Sequence, residues 1–318
     1  MSIDKKYYDE GELVSVIIPV YNGVNVISRA IRSVLRQYYL PVELLVVDDG
    51  STDGTQDIVE KWSEADPRVR LIEHRKNRGG SAARNTGIKH SKGKYIAFLD
   101  SDDEWLKNKL LKQVNFLENA DKHWGGVYCN FKIVSNSLVL KAVDFAKRKL
   151  FSHSIPTSGG RKLLPYVLTG SLLTAAGSTL MVRRQVAKKL RGFDEKFPRH
   201  QDLEFLVRLL MKWKLGYIPE PLVLVYRSYS SNVPIEHVLK AKQLYLDKFE
   251  EIISYFEDQG FYIRYHHNIE LSIRFYRQGD IVSGTKYLLN SKITRLEDLN
   301  VFLHFVIAIL RYFRVNAF

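Results

Sequence analysis

The sequence predicts an α/β protein with a doubly wound, mainly parallel sheet. Three short aliphatic runs, VSVIIPV, ELLVV and KYIAFL, each end at a polar turn segment. The apolar residues between these runs recur at three- and four-residue spacing, which is typical of helices. Because strands alternate with helices along the chain, the pattern favours a parallel sheet covered by helices on both faces.

The amino-terminal third of the chain predicts this alternation in detail. The first strand ends at Tyr21, and the helix after it ends before Pro41, because proline cannot continue a helix. Thr52 or Asp53 caps the second helix. The predicted strands span residues 14–20, 43–47, 69–73 and 94–99, and a third helix spans residues 81–90.

The remaining sequence is less regular. Residues 125–134 predict a strand, residues 136–160 predict a polar, basic connection, and Pro234 begins a helical region. Helices are further predicted at 163–174, 184–191 and 202–213, and strands at 177–183 and 218–226. We therefore expect three parts of the chain: an amino-terminal extension at 1–13, a folded domain at 14–230 and a helical carboxyl-terminal region at 234–318.

The composition excludes several classes of protein. Of 318 residues, 45% are hydrophobic and 26% are charged, which excludes intrinsic disorder and a polytopic membrane protein. Cys129 is the single cysteine, so neither an intrachain disulfide nor a multi-cysteine zinc site can form. The net charge of +13 favours an anionic partner such as nucleic acid, a lipid surface or a phosphorylated substrate, with solubility alone as the alternative.

We expect neither a secretory signal nor a membrane span. The first ten residues, MSIDKKYYDE, contain no apolar segment of the kind that secretory signals carry. The longest apolar run, residues 301–310, is shorter than the roughly 20 residues that cross a bilayer. The expected location is therefore the cytoplasm.

The strongest chemical signal is the acidic segment LDSDDEW at residues 99–105. Asp100, Asp102 and Asp103 follow a buried strand, at the edge where such sheets bind ligands. Carboxylates this close repel each other unless a cation lies among them, and Mg²⁺ or Mn²⁺ prefers oxygen ligands. The alternative is an acidic helix start that complements the helix macrodipole. The position after a strand favours the metal.

Two further segments lie at the same predicted sheet edge. Asp49 could accept hydrogen bonds from a base or a ribose, whereas Asp48 could equally cap the turn. The segment NRGGSAARNTGI at 77–88 has glycines that let the backbone approach a ligand, and its Arg78 and Arg84 suit phosphate or base. A glycine-rich turn with a solvated arginine is the alternative.

Together these segments resemble glycosyltransferase family 2, inverting enzymes of GT-A fold that use nucleotide-sugar donors. The matching stretches are VSVIIPVYN (14–22), ELLVVDDGSTDGT (43–55), NRGGSAARNTGIKHSKGKYIAFLDSDDEW (77–105) and GFDEKFPRHQDLEFLVRL (192–209). The resemblance covers residues 14 to about 230. It implies a Rossmann-like catalytic domain with a helical extension, and a nucleotide-diphospho-sugar donor, with UDP-sugars expected first. It also implies a role in polysaccharide, lipid-linked glycan or cell-surface glycan synthesis.

The resemblance implies a donor site at the strand ends. Asp100, Asp102 and Asp103 match the family's DxD region, which touches the ribose and holds a divalent metal on the diphosphate. Asp102 and Asp103 are the implied ligands of Mn²⁺ or Mg²⁺. The implied nucleobase pocket and donor contact are formed by Pro19, Tyr21, Asp49 and Arg84.

The implied mechanism is a single displacement. Asp202, in the segment HQDLEF, matches the acidic residue that family members use as general base, and Gln201 replaces the glutamate that usually precedes it. Asp202 would take the proton of the acceptor hydroxyl as this attacks the anomeric carbon, while the metal neutralises the leaving diphosphate. The alternative is a first-turn carboxylate of the helix at 202–213.

Three residues are weaker candidates for the acceptor side. Gly177 and Ser178 could line the acceptor pocket, with a packing glycine as the alternative. Trp105 could stack on an acceptor sugar, with ordinary burial beside the acidic segment as the alternative. The implied acceptor is a glycan or a lipid-linked glycan.

Two other functions fit parts of the sequence. The charge of +13 suits a nucleic-acid-binding protein, but aspartates at the strand ends would repel a polyanion, so we expect no nucleic-acid partner. Metal-binding aspartates on an α/β sheet also suit a nucleotidyltransferase, which releases pyrophosphate instead of a nucleoside diphosphate.

The segment VFLHFVIAILRYFRVNAF at 301–318 is apolar and aromatic, and it carries Arg311 and Arg314. This combination suits a helix in the interface of an anionic membrane, which would make the protein peripheral on the cytoplasmic face. The equal alternative is packing on the catalytic domain or a contact in a homodimer.

Overall fold

The computed structural model describes residues 10–135, 156–172, 174–226, 234–292 and 305. The chain divides into two compact units. The sheet unit comprises Met1–Leu164 and Leu173–Ser230, and the helical unit comprises Pro165–Leu172 and Ser231–Phe318. The short segment 165–172 therefore belongs with the carboxyl-terminal helices, although it lies within the sequence of the sheet unit.

The described part of the sheet unit contains one mixed sheet of eight strands. Its strands β1 to β8 are, in chain order, Val14–Val20, Val42–Asp48, Val69–Glu73, Tyr95–Phe98, Glu104–Trp105, Trp124–Val134, Met181–Arg183 and Lys214–Tyr226. Their order in the sheet is β3-β2-β1-β4-β7-β6-β8-β5. The first four strands are mutually parallel, β7 is antiparallel to both of its neighbours, and β8 is parallel to β6.

Helices cover this sheet and form the second unit. In the sheet unit, α1 to α4 are Ile27–Leu35, Thr55–Ala65, Gly80–His90 and Lys109–Asn119. A 3₁₀ turn at Arg161–Leu163 leads into α5, Leu164–Leu168, and the sheet unit continues with α6 to α8 at Ala176–Thr179, Arg184–Lys189 and Gln201–Leu210. Besides most of α5, the helical unit contains α9 to α12, which are Ile235–Lys248, Glu250–Glu257, Ile263–Gln278 and Ile281–Leu289.

Strand register brings the predicted site segments to one edge of the sheet. Val20 in β1 lies beside Asp48 in β2, and Ile17 lies beside Phe98 at the end of β4. The chain segments after β1, β2 and β4 therefore emerge together. Both β1 and β2 are buried along nearly their whole length, and each buried aliphatic side chain contributes roughly 1.5–3 kcal/mol of transfer free energy. The buried strands β1 and β2 therefore fix the positions of the segments that follow them.

The structure differs from the sequence prediction in three places. The helix predicted at 163–174 ends early, because Gly170 adopts a left-handed conformation with φ of 68°. The strand predicted from residue 177 begins at Met181, since α6 occupies the preceding residues. Strand β5 was not predicted at all, because its two residues are specified only by pairing with β8.

The helical unit has its own apolar core, which includes Tyr245, Ile253, Ile263 and Tyr276. In the part of the chain that the structure describes, no helix has the length and apolar character needed to cross a membrane. The segment 301–318, proposed from the sequence for a membrane or dimer contact, lies outside the described residues apart from Phe305. The Phe305 ring centroid lies 5.2 Å from that of Tyr276.

Candidate active site

Asp49 occupies the centre of the predicted nucleobase pocket and is 3% exposed. Its Oδ1 accepts hydrogen bonds from His74 Nδ1 at 2.6 Å and from the backbone N–H of Arg78 at 3.0 Å. Its Oδ2 accepts the N–H of Gly79 at 2.7 Å. The glycine-rich segment after β3 is therefore fastened to this carboxylate.

The other two residues of the predicted pocket flank Asp49. The N–H of Asp49 donates to the carbonyl of Val20 at 2.8 Å, which places the end of β1 beside it. Tyr21, the next residue, is 51% exposed, so its ring is available to a ligand. Pro19 lies half-buried opposite Val47 of β2. The structure thus brings Pro19, Tyr21 and Asp49 together.

Asp48 adopts the turn-capping role that the sequence allowed. Its Oδ2 accepts the backbone N–H groups of Gly50 at 3.2 Å and Ser51 at 2.9 Å, and the side chain of Gln56 at 2.9 Å. Gly50 has φ of 78° and approaches the backbone of Lys76 so closely that a β-carbon would lie 2.8 Å from it. A side chain at residue 50 would therefore separate the two loops of the pocket.

Arg84 and Asp100 form a partly buried ion pair at the end of β4. Arg84 Nη2 lies 2.5 Å from Asp100 Oδ1, and the arginine is 6% exposed whereas the aspartate side chain is 39% exposed. A β-carbon at Gly177 would lie 2.3 Å from Asp100 Oδ2, so the glycine backbone packs on this carboxylate. Arg84 and Gly177 together fix Asp100.

Asp103 is a structural carboxylate in this structure. It is 4% exposed; its Oδ2 accepts the Ser178 hydroxyl at 2.5 Å and its Oδ1 accepts the N–H of Tyr226 at 3.0 Å. The pKa of Asp103 is raised to about 7, chiefly by burial and also by the neighbouring charges of Asp100 and Asp102, while these two hydrogen bonds oppose the shift. Each oxygen of Asp103 thus accepts one hydrogen bond from the protein, so the carboxylate positions the acidic segment, and its metal role stays a prediction.

The Ser178 hydroxyl connects Asp103 to Asp100 within the acidic segment. Its hydroxyl oxygen also accepts the N–H of Asp100 at 3.1 Å, and the residue is 1% exposed. The acceptor roles expected for Gly177 and Ser178 are therefore replaced by a role in positioning Asp100 and Asp103. Sequence spacing gave no sign of this, because the partners lie 75 to 78 residues apart.

Trp105 adopts the alternative of ordinary burial. The side chain is 2% exposed, and its Nε1 donates to the carbonyl of Ser178 at 2.7 Å. The ammonium of Lys109 lies 3.7 Å from its ring centroid. A buried indole covered in this way cannot stack on an acceptor sugar, so the acceptor role expected for Trp105 is wrong for this structure.

Asp102 projects from the same segment and is exposed. Partial desolvation raises its pKa, and the charge of Asp100 adds to this, while Arg29 opposes it. The Arg29 guanidinium donates to the backbone carbonyl of Asp102 and lies 3.7 Å from the Tyr226 ring centroid. Arg29 and Tyr226 therefore brace the segment that carries Asp102, a contact that the sequence did not predict.

Asp202 lies in the first turn of α8 and is half-buried. Desolvation raises its pKa; the charge of Arg84 opposes the shift and that of Asp100 adds to it. Its Oδ1 accepts the N–H of Leu203 at 2.9 Å, as the first-turn alternative requires. This contact uses one of the roughly four acceptor positions of a carboxylate, so the remaining positions of Asp202 can accept other donors.

A latch between α3 and the loop before α8 was also missed. Asn85 accepts the N–H of Phe193 at 2.7 Å and donates to its carbonyl at 2.9 Å. The Phe193 ring stacks on Phe205 at 4.6 Å and lies 5.7 Å from the Arg84 guanidinium carbon. This latch joins the helix that carries Arg84 to the helix that carries Asp202.

The carboxylates suit a divalent cation held jointly with a substrate diphosphate. Among the described residues, no three acidic, histidine or cysteine side chains form a complete metal cage. Magnesium, however, is commonly held by one or two carboxylates plus phosphate oxygens. The exposed Asp102 beside the half-exposed Asp100 supplies that set. Desolvation and then the charge of Asp100 raise the pKa of Asp102, and a cation would relieve the repulsion between the two carboxylates.

The family is established by comparison with known sequences. Residues 15–191 match the family described as "Glycosyl transferase family 2". The chain belongs to glycosyl transferase family 2. The predicted family is therefore confirmed, and the protein is a glycosyltransferase.

Curated relatives agree with this assignment. The chain is 32% identical over 221 residues to the "Putative teichuronic acid biosynthesis glycosyltransferase TuaG" of Bacillus subtilis (strain 168), an alignment that covers 70% of this chain and 81% of that protein. It is 40% identical over 162 residues to the "UDP-Glc:alpha-D-GlcNAc-diphosphoundecaprenol beta-1,3-glucosyltransferase WfgD" of Escherichia coli, which covers 51% of this chain and 62% of that protein.

Solved structures confirm the predicted GT-A fold. S. aureus TarS 1-349 superposes with a TM-score of 0.55 at 19% identity, covering 96% of this chain and 74% of that one. The mannosyltransferase PcManGT from Pyrobaculum calidifontis, solved with GDP-Man and Mn²⁺, gives a TM-score of 0.56 at 18% identity, covering 95% and 81%. At sequence identities this low, the two superpositions show that the folds are similar and show nothing about shared substrates.

Proposed function

We propose that this glycosyltransferase moves a sugar from a nucleotide-diphospho-sugar, a UDP-sugar in the first instance, to a hydroxyl of a cell-surface glycan or its lipid-linked precursor, with inversion. The observation that carries the proposal is that Asp49 and Asp100 follow β2 and β4 at one edge of the sheet, while Phe193 connects α3 to α8, the helix that carries Asp202. Asp49 and Tyr21 would bind the base of the donor. Arg84 and Asp100, at the end of β4, would contact the rest of the donor. The names of the bacterial relatives support the glycan class.

Asp202 is the general base of the proposed reaction. A base must be deprotonated in the resting enzyme and must take the acceptor proton as the new glycosidic bond forms. The raised pKa of Asp202 moves this carboxyl closer to neutral pH, which makes it a better proton acceptor than an ordinary aspartate. Its position on a separate segment from Asp102 leaves it free of the metal ligands.

Asp102 and Asp100 would hold the divalent cation. When bound, the cation neutralises the charge that develops on the leaving nucleoside diphosphate. Arg84 contributes a fixed positive charge beside the same site, and its burial strengthens that contribution. Ser178, Gly177 and Arg29 keep the carboxylates in place without touching the substrate.

A donor screen tests the proposal. Purified protein is incubated with UDP-, dTDP-, GDP- and CDP-sugars, and the released nucleotide is identified by chromatography. We expect slow release of a nucleoside diphosphate from one donor class. Release of pyrophosphate would instead identify a nucleotidyltransferase, and tight salt-dependent DNA binding without donor hydrolysis would identify a nucleic-acid-binding protein.

Two variants assign the roles once a donor is known. Asp202→Asn should lower transfer on the order of 10²–10⁴-fold with little change in donor affinity. Asp102→Asn should abolish the dependence of activity on added Mn²⁺ or Mg²⁺. Asp121→Asn is the matched control, because Asp121 is an exposed aspartate before β6, at the opposite edge of the sheet. Activity that persists in excess chelator would contradict the metal role.

A further inference from the structure

A row of three side chains, two buried and one half-buried, ends at the carboxylate of Asp49. His74 Nδ1 lies 2.6 Å from Asp49 Oδ1, and His74 Nε2 lies 2.8 Å from the Thr86 hydroxyl. The side chains of His74 and Asp49 are only 6% and 4% exposed. The row connects three separate elements, since Asp49 follows β2, His74 follows β3 and Thr86 lies within α3.

Proton donors and acceptors along this row can be assigned. An ionised carboxylate only accepts hydrogen bonds, and a neutral imidazole has one donor nitrogen and one acceptor nitrogen. Nδ1 of a neutral His74 must therefore carry the proton, which leaves Nε2 to accept the hydroxyl proton of Thr86. The carboxylate of Asp49 thus selects the tautomer, and Thr86 holds the other side of the ring in place through its contact with Nε2.

The row also limits what Asp49 can bind. Its carboxylate has about four acceptor positions, and His74, Arg78 N–H and Gly79 N–H use three of them. Oδ1 accepts two of these hydrogen bonds and Oδ2 accepts one. The position that remains is therefore on Oδ2, and it accepts one further N–H donor.

We propose that His74 and Thr86 are positioning residues that make the base pocket select a base with a single imide N–H, as in uracil and thymine. This inference rests on the nucleotide-sugar donor proposed above. Cytosine presents a ring nitrogen lone pair at the equivalent position, which a carboxylate repels. Guanine presents two adjacent N–H donors, and one of them would lack an acceptor on Asp49.

A binding cycle with a modified base tests this role. The affinities of UDP and N3-methyl-UDP for the full-length protein are measured by calorimetry, because methylation removes the imide N–H alone. Methylation should weaken binding to the wild-type protein on the order of 10-fold or more. Thr86→Val should weaken UDP binding on the order of 10-fold and leave N3-methyl-UDP binding unchanged, since that contact is already lost.

Further variants complete the cycle. Thr86→Ser keeps the hydroxyl and should restore UDP affinity, whereas His74→Phe should reproduce the loss seen with Thr86→Val. His123→Phe is the matched control, because His123 pairs with Asp121 at 2.8 Å on the exposed surface before β6. This control should bind both nucleotides as the wild-type protein does.

The outcomes separate this inference from the proposed function. Equal losses of UDP and N3-methyl-UDP in Thr86→Val would assign the row to folding alone and overturn the positioning role, and so would unchanged UDP affinity. In either case UDP still binds to the wild-type protein, so the proposed donor class stands. A wild-type protein that binds GDP or CDP in preference to UDP would overturn both.

Discussion

The backbone of Gly177 lies directly against the carboxylate of Asp100, where a β-carbon would come within 2.3 Å of Oδ2. Arg84 binds the other oxygen of the same carboxylate at 2.5 Å. Asp100 therefore contacts the Gly177 backbone through one oxygen and the Arg84 guanidinium through the other. The orientation of the donor-site carboxylate thus depends on the absence of a side chain in a distant segment.

Replacing Gly177 with alanine should displace Asp100 and break its pairing with Arg84. Because a misplacement of about 1 Å can lower the rate on the order of 10²-fold, we expect a loss of that size in transfer activity. Initial rates with saturating donor measure it. The free energy of unfolding in urea serves as the control, and unchanged activity in a variant of normal stability would mean that Asp100 does not require this contact.

The pH dependence of transfer should report the ionisation of Asp202. Burial raises the pKa of this carboxyl above the ordinary value of 3.8. Since the base acts in its deprotonated form, kcat should fall as the pH decreases through the raised pKa. The residual activity of Asp202→Asn should lack this acid limb. An acid limb of the same midpoint in the variant would assign the titration to another group.

Lys109 should make the stability of the sheet unit depend on pH. This lysine is fully buried, its Nζ donates to Gln113 Oε1 at 2.7 Å, and burial lowers its pKa to about 7. Between that pKa and the value of roughly 10.4 in the unfolded chain, the unfolded state binds more protons. Stability should therefore rise with pH, by at most about 1.4 kcal/mol per unit.

Urea unfolding of Lys109→Met between pH 7 and 9.5 measures this effect. The difference in unfolding free energy between wild type and variant should change with pH in that window, because only the wild type carries the buried amine. Lys112→Met is the matched control on the same helix, where Lys112 is partly exposed and pairs with Glu220. A pH-independent difference for Lys109→Met would show that the buried amine does not titrate there.

Loss of the Asn85 latch should lower both stability and activity. Asn85→Ala leaves the N–H and carbonyl of Phe193 without their partner, which costs about 1–3 kcal/mol of unfolding free energy when such groups are buried. Because Phe193 packs beside Arg84, turnover should fall more than stability alone explains at temperatures where the variant is folded. Asn119→Ala, at the exposed carboxyl-terminal end of α4, should change neither quantity. An Asn85→Ala protein with normal stability and full activity would show that the Asn85–Phe193 hydrogen bonds are needed for neither.

The sequence alone determined the parallel half of the sheet, the site edge and the family. This was possible because strand and helix periodicity are local properties, and because the carboxyl ends of parallel strands always share an edge. Asp49, Arg84 and Asp100 therefore lie where the residue pattern predicted. The same reasoning placed Asp202 on a helix start, but the contacts of Phe193 that connect α3 to the helix of Asp202 came from the fold.

Only the tertiary structure decided what each polar residue contacts. Asp103 looked like Asp102 in sequence, yet Ser178 and the Tyr226 N–H occupy its oxygens, and burial of Trp105 removed the expected sugar contact. The row from Thr86 through His74 to Asp49 likewise crosses three elements. Hydrogen-bond partners are set by distances in space between segments far apart in the chain, and neither spacing nor periodicity encodes those distances.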